Sequence, residues 1–161
     1  MYSKEVLAKA RDLLEGVTPL LADCGRLCAH ACCQGEQADE NGMLLFPGEE
    51  AFYETAAWAR VTPLPYDLGG KRARLFTCAG ACPRQNRPLA CRLFPLFCRA
   101  EADRFSVCLD ARAHALCPLY AYGLKGLSQA FIQAGQDAYA LLFADEGYRA
   151  YLIDLFRACS L

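Results

Sequence analysis

Apolar residues recur with a helical period at both ends of this chain and lose that period in its middle. Near the start, Val6, Ala10, Leu13, Leu14 and Val17 fall on one face of a helix that Ser3 is placed to cap, so the pattern predicts a helix over 4–16. A second short helix is expected over 20–33, after Pro19. The polar, Gly-containing stretch over 34–48 carries the turn signals Asn41-Gly42 and Pro47-Gly48, with the apolar run Met43-Leu44-Leu45-Phe46 between them as a short strand. Residues 49–59 read as a helix with an acidic first turn, and Glu49, Glu50 and Glu54 as its solvated face.

Two prolines and Gly69-Gly70 mark 61–70 as a connecting loop. A strand over 72–77, a loop over 78–91 and a hairpin of 93–99 with 104–109 follow, turning near Ala102-Asp103 and setting Cys98 roughly opposite Cys108. The last third is helical. Leu127, Ala130, Phe131, Ala134, Ala138, Leu141 and Leu142 make one stripe, and Tyr148, Tyr151, Leu152, Leu155 and Phe156 a second, separated by Asp145-Glu146-Gly147. Phe52, Tyr53, Trp58, Tyr120 and Tyr122 read as packing residues. The sum is a mainly α fold with small β pieces (α+β). It is expected to form a single cysteine-rich metal-binding domain over 1–161, with ligand-bearing segments at 24–33 and 78–117 and a helical tail over 124–158.

Composition changes that picture in one respect. A chain of 161 residues, 55% hydrophobic and 22% charged, is long enough to bury a core of its own. Its 11 cysteines nevertheless ask for a covalent or metal explanation, and an odd number cannot all pair as disulfides. The charged first residues lack the apolar core of a secretory signal, and no run is apolar enough to span a membrane. A reducing cytoplasm is therefore the expected compartment, where clustered cysteines are read as metal-binding or catalytic before they are read as bridges.

The cysteines fall into groups. Cys24, Cys28 and Cys32 stand four apart, so a helix would stack them on one face, with Cys33 about 100° further round. Cys78 and Cys82 enclose Gly80, and Cys91 lies within Arg87-Pro88-Leu89-Ala90-Cys91-Arg92-Leu93-Phe94-Pro95. Cys117 follows. Soft thiolates at such spacing suit zinc or an iron–sulfur cluster rather than calcium or magnesium. These eight divide into two four-thiolate sites, but spacing does not say which cysteine joins which. Cys98 and Cys108 are read equally as a cross-strand packing pair or as ligands, and Cys159 as an ordinary thiol. His30 and His114 are the only histidines, and ordinary surface or capping roles are favoured for both.

Charge is unevenly placed. Residues 1–70 carry 5 basic and 11 acidic side chains, whereas 71–104 carry 8 basic and 2 acidic. A metal held by four thiolates is left with net negative charge, and Arg84, Arg87, Arg92 and Arg99 are placed to offset it. The rival reading, a nucleic-acid patch around Lys71, Arg72 and Arg74, lacks interleaved aromatics and an overall basic charge.

Together, Cys24, Cys28, Cys32-Cys33 and the later Arg87-Pro88…Cys91-Arg92…Phe94-Pro95 element resemble the zinc- or iron-chelating domain family, whose members carry C-x2-C-x2-CC and a later RPxxCRxFP. Flagellin lysine N-methylase is that family's namesake enzyme. The resemblance covers residues 24–95 and departs from the family pattern in its three-residue spacers. It implies Cys24, Cys28, Cys32, Cys33 and Cys91 as first ligands, with Cys78 and Cys82 next. It does not bring methylase activity, because no Gly-rich nucleotide loop is present.

The expected function is a thiolate metal-binding protein with Zn2+, or alternatively a [4Fe-4S] cluster, in a structural or metal-holding role. Two other readings remain. One is an iron–sulfur electron carrier or accessory subunit of a modification system, serving a partner protein. The other is a thiol redox protein using Cys32-Cys33.

Overall fold

A computed structural model describes residues 1–33, 42–80 and 82–159. The polar stretch over 34–41, with the first half of the Asn41-Gly42 turn signal, lies outside the described residues.

Among the described residues, five α-helices and five strands follow one another. They are α1 (Lys4–Leu13), α2 (Gly25–Cys28), β1 (Met43–Leu44), β2 (Ala59–Leu68), β3 (Lys71–Cys78), α3 (Leu89–Leu93), β4 (Leu96–Ala100), β5 (Phe105–Leu109), α4 (Gln129–Ala144) and α5 (Glu146–Cys159), interspersed with short 3-10 turns. One antiparallel sheet has the order β1-β3-β2, and β4 and β5 form a separate hairpin.

The described residues are 47% helical and 20% strand, a mixed α+β fold rather than a mainly α one. Two segments account for the difference. The proline-bearing stretch expected as a loop is β2, the longest strand. It tolerates Pro63 and Pro65 because it lies at the sheet edge, where the missing N–H groups cost no ladder bond, and its pairing with β3 is interrupted between Pro63 and Asp67. The helix expected over 49–59 shrinks to one 3-10 turn, Glu50–Phe52, before the chain enters β2.

The ends of the chain follow the apolar periodicity. The Ser3 hydroxyl accepts the Val6 N–H at 3.3 Å and caps α1, whose Leu7, Ala10 and Leu14 are buried. Asp145 closes α4 and also accepts the Tyr148 N–H at 3.1 Å, so the expected break is a single capping residue between two helices. α1 packs on α4, and α5 packs on β4 and β2.

Tyr148 and Tyr151 of α5 bury their rings in the main core and spend their hydroxyls on the carbonyls of Pro47 and Leu45, each at 3.0 Å. Phe46 lies between them, with ring centroids 5.2 Å from Tyr151 and 6.4 Å from Tyr148. A smaller cluster of Leu45, Tyr53 and Phe76 packs with Trp58 on the other side of the sheet. Cys98 sits in the main core, while Cys24, Cys108, Cys117 and Cys159 pack only against its edge. The fold is therefore built around aromatic and aliphatic side chains. The expectation of a single cysteine-rich metal-binding domain gives way to a hydrophobic α+β domain that carries its thiols largely outside the core.

Candidate metal-binding site

Residues 24–33 do not form the continuous helix that would stack Cys24, Cys28 and Cys32. α2 spans one turn, with Cys24 as its N-cap and Cys28 as its last residue. The chain then turns through two consecutive non-glycine residues of positive φ, Ala29 (49°) and His30 (60°), before the 3-10 turn Ala31–Cys33. Left-handed backbone at such residues costs roughly 1–2 kcal/mol each and is found where surrounding structure dictates it. Here the His30 N–H donates back to Gly25 O at 3.0 Å, and its imidazole lies where a side chain on residue 25 would be. Only glycine leaves that space open.

Cys78 ends β3 in register with Ala59, and the Ala79 N–H donates to Trp58 O at 3.1 Å, which fixes the start of the following loop. Within Arg87-Pro88-Leu89-Ala90-Cys91-Arg92, Pro88 opens α3 and Leu89 and Arg92 are buried, so the expected strand at 93–95 is instead the end of a short helix and the approach to β4. Cys117 caps the 3-10 turn Pro118–Tyr122. The Ser128 N–H donates to Pro19 O at 2.7 Å and ties the stretch after that turn to the chain just before α2.

The electrostatic influences on these thiols link segments far apart in sequence. Burial pushes the Cys24 thiol up, and Cys117, Asp23 and Cys28 add repulsion while Arg87 opposes it. Cys117 is raised by burial and by Cys28. Cys82 is raised by burial, and Cys78 and Cys33 reinforce the shift against the pull of Arg87. Cys91 is raised well above an ordinary thiol by burial, with repulsion from Cys33, Glu49, Cys82 and Cys78. Cys32 and Cys33, with sulfurs 4.0 Å apart, act as a pair. A hydrogen bond from Cys32 lowers Cys33 to about 6, at the expense of Cys32, which is raised.

The other three cysteines belong elsewhere. The principal influences on Cys98 are burial and Cys108, and those on Cys159 are burial, Arg112 and Asp110. The hairpin register pairs Phe97 with Cys108 and Cys98 with Val107, so Cys98 and Cys108 are one residue out of step and face opposite sides. The expected cross-strand pair is not formed. Cys108 instead donates to Phe97 O at 3.6 Å.

Of the four arginines expected to offset thiolate charge, Arg87 is the one whose charge acts on Cys24, Cys33 and Cys82, lowering each thiol. Its Nε is buried with no hydrogen-bond partner among the described residues. Arg84 instead reaches the carbonyls of Leu14, Glu15 and Val17, closing the end of α1. Arg92 is buried and bonded to the carbonyls of Arg87, Arg11 and Gln85 and to the Glu15 carboxylate. Arg99 lies over the Phe156 ring. His114 stands edge-on to Tyr120, with centroids 5.3 Å apart. Tyr122, expected to pack, is exposed.

Glu49, which the sequence places on a solvated acidic face, is fully buried. Its carboxylate accepts from Arg11, from Phe46 N at 3.2 Å and from Leu89 N at 2.8 Å. The legible signal was Pro47-Gly48 immediately before it, a turn that lets a glutamate reach back to the amide three residues earlier.

As placed, no three of the described His, Cys, Asp and Glu side chains stand close enough together to hold one ion. Among the described residues no helix is long and apolar enough to cross a membrane. Compared with family models, with curated proteins and with solved structures, the chain matches none.

Proposed function

We propose that this chain is a cysteine-thiolate metal-binding protein, carrying zinc or an iron–sulfur cluster in a structural or metal-holding role at the edge of its α+β core. The observation that carries this reading is that burial and neighbouring thiols raise Cys24, Cys32, Cys82, Cys91 and Cys117, with influences that reach from Cys24 to Cys117, 93 positions apart in sequence. Crowded thiols raise one another's pKa. A soft cation relieves that repulsion and holds them ionised.

The donor set fits such a metal. Eight thiols suit tetrahedral sulfur coordination, and the buried Arg87 Nε is a spare donor of the kind that thiolates accept from. Zinc there would tie segments together, whereas an iron–sulfur cluster would add electron transfer. The sequence resemblance to the zinc- or iron-chelating family points the same way.

Elemental analysis and the visible spectrum of anaerobically purified protein test this reading. Stoichiometric zinc, or iron with absorption near 400 nm, is expected. Cys91→Ala should lower the metal content and Cys159→Ala should leave it unchanged. Equal, near-zero effects of the two changes would defeat the assignment.

One observation favours a second reading. The Cys33 thiol, lowered to about 6 by a hydrogen bond from Cys32 with the sulfurs 4.0 Å apart, is shifted in the direction a thiol redox protein uses. Metal-free protein with all thiols titratable and full stability would select that alternative.

A further inference from the structure

Cys32 and Cys33 end the 3-10 turn Ala31–Cys33, and their sulfurs stand 4.0 Å apart. Hydrogen bonds fix the backbone that presents them. The His30 N–H donates to Gly25 O at 3.0 Å, and the Cys33 N–H donates to His30 O at 2.7 Å. Cys32 is exposed and Cys33 half-buried, so a small molecule arriving from solvent meets the first sulfur with the second beside it.

The number of sulfurs decides what such a pair can hold. A closed zinc site takes four donors. All 11 cysteines lie among the described residues, yet no third His, Cys, Asp or Glu there stands close enough to share an ion with this pair. A tetrahedral metal must draw further thiols in, whereas a ligand that asks for two sulfurs finds both in position.

A disulfide also asks for two, but with a different geometry. Its sulfurs bond at roughly 2.05 Å and its α-carbons usually stand roughly 4.4–6.8 Å apart, beyond the about 3.8 Å that separates neighbouring residues. An atom set between the sulfurs needs less closure. Trivalent arsenic with one carbon substituent meets this demand, because it is thiophilic, keeps one bond to carbon and forms two to sulfur.

We propose that Cys32 and Cys33 form a chelating site for monosubstituted trivalent arsenicals. The site needs no resident metal and so stands apart from the metal-binding reading above. An arsenical R–As(OH)2 exchanges both hydroxyls for the two sulfurs. Two As–O bonds break, two As–S bonds form, and the thiol protons leave with the hydroxyls as two waters. Arsenic stays trivalent, so no oxidant or reductant is consumed. After the first As–S bond the second closes within the chain, at an effective concentration of about millimolar or more.

The test uses the full chain, reduced, treated with chelator and mixed under argon with one equivalent of phenylarsine oxide. This probe carries a single As=O oxygen, which leaves as one water with both thiol protons. Native mass spectrometry should show one adduct per chain. Alkylation in denaturant should then modify two fewer than the 11 free thiols, and peptide mapping should place the protected pair at Cys32 and Cys33. Excess 2,3-dimercaptopropanol should release the adduct, while the same thiol concentration of 2-mercaptoethanol should not. Cys32→Ser and Cys33→Ser should each lose the adduct, whereas Cys24→Ser and Cys28→Ser should keep it.

An adduct that persists in Cys32→Ser or Cys33→Ser, or that maps to other thiols, overturns the site. The mapping is done on wild-type chain, so a variant that fails to fold does not end the test. Wild-type chain that takes up stoichiometric zinc but no arsenical overturns this site alone. Chain that binds the arsenical at Cys32 and Cys33, yet takes up no zinc and holds no metal as purified, overturns the metal-binding reading alone.

Discussion

The carboxylate of Glu49 accepts the backbone N–H of Leu89 at 2.8 Å, inside a site from which Glu49 itself is entirely withdrawn from solvent. The same carboxylate holds Arg11 of α1 and the Phe46 amide, so one side chain joins the first helix, the 46–49 turn and the start of α3, on which Cys91 rides. Glu49→Ala leaves Arg11 and two amides without their acceptor. Removing one partner of a buried ion pair costs about 3–5 kcal/mol. Urea unfolding should show a loss of that order, with Glu49→Gln milder because it keeps an acceptor oxygen. A change under about 0.5 kcal/mol, the range of an ordinary surface substitution, would remove Glu49 from this role.

The two glycines of the β2–β3 turn should respond differently to the same substitution. Both have positive φ, 56° at Gly69 and 73° at Gly70. A Cβ on residue 69 would lie 2.6 Å from the Tyr151 amide nitrogen, whereas one on residue 70 meets nothing within 4 Å. Gly70→Ala should cost only the left-handed conformation, roughly 1–2 kcal/mol. Gly69→Ala should add roughly 1–3 kcal/mol of overpacking and disturb the bonds from Tyr2 Oη to Gly69 O at 2.6 Å and from Gly69 N to Asp154 at 2.9 Å. Equal melting temperatures for the two variants would contradict the packing of α5 against this turn.

Stability should fall in alkali through Cys98. Burial, reinforced by Cys108, pushes this thiol from about 9 up to about 12. Below about pH 9 it is protonated in both states. Between 9 and 12 the unfolded chain releases the proton and the folded chain keeps it, so the balance shifts toward unfolding as pH rises. Cys98→Ala should flatten that part of the stability–pH curve, even though deleting the sulfur lowers stability at neutral pH. An unchanged slope in the variant would show that Cys98 is not the group responsible.

Metal removal should loosen the thiol-bearing segments without unfolding the molecule. The main core, with Phe131, Leu142, Tyr148, Tyr151 and Leu152 almost wholly buried, owes its burial to aromatic and aliphatic contacts. After chelation, far-UV circular dichroism should retain the α4 and α5 signal, while limited proteolysis accelerates at 20–33 and 78–88. Global loss of helicity would mean that the metal organises the whole chain.

The sequence by itself determined what depends on local pattern. The apolar period located α1, α4 and α5, and Ser3 and Asp145 fell where helix caps are needed. It misread elements whose form depends on a distant partner. β2 is a strand because β3 lies beside it, despite prolines that locally suggest a loop, and the helix expected over 20–33 ends where His30 turns back over Gly25. Only the tertiary structure decided that Glu49 is buried, that Arg84 and Arg92 serve backbone carbonyls, and that Arg87 is the arginine whose charge acts on Cys24, Cys33 and Cys82. Charge and donor number are properties of a residue, whereas the partner that satisfies them is fixed by which segments the hydrophobic core brings together.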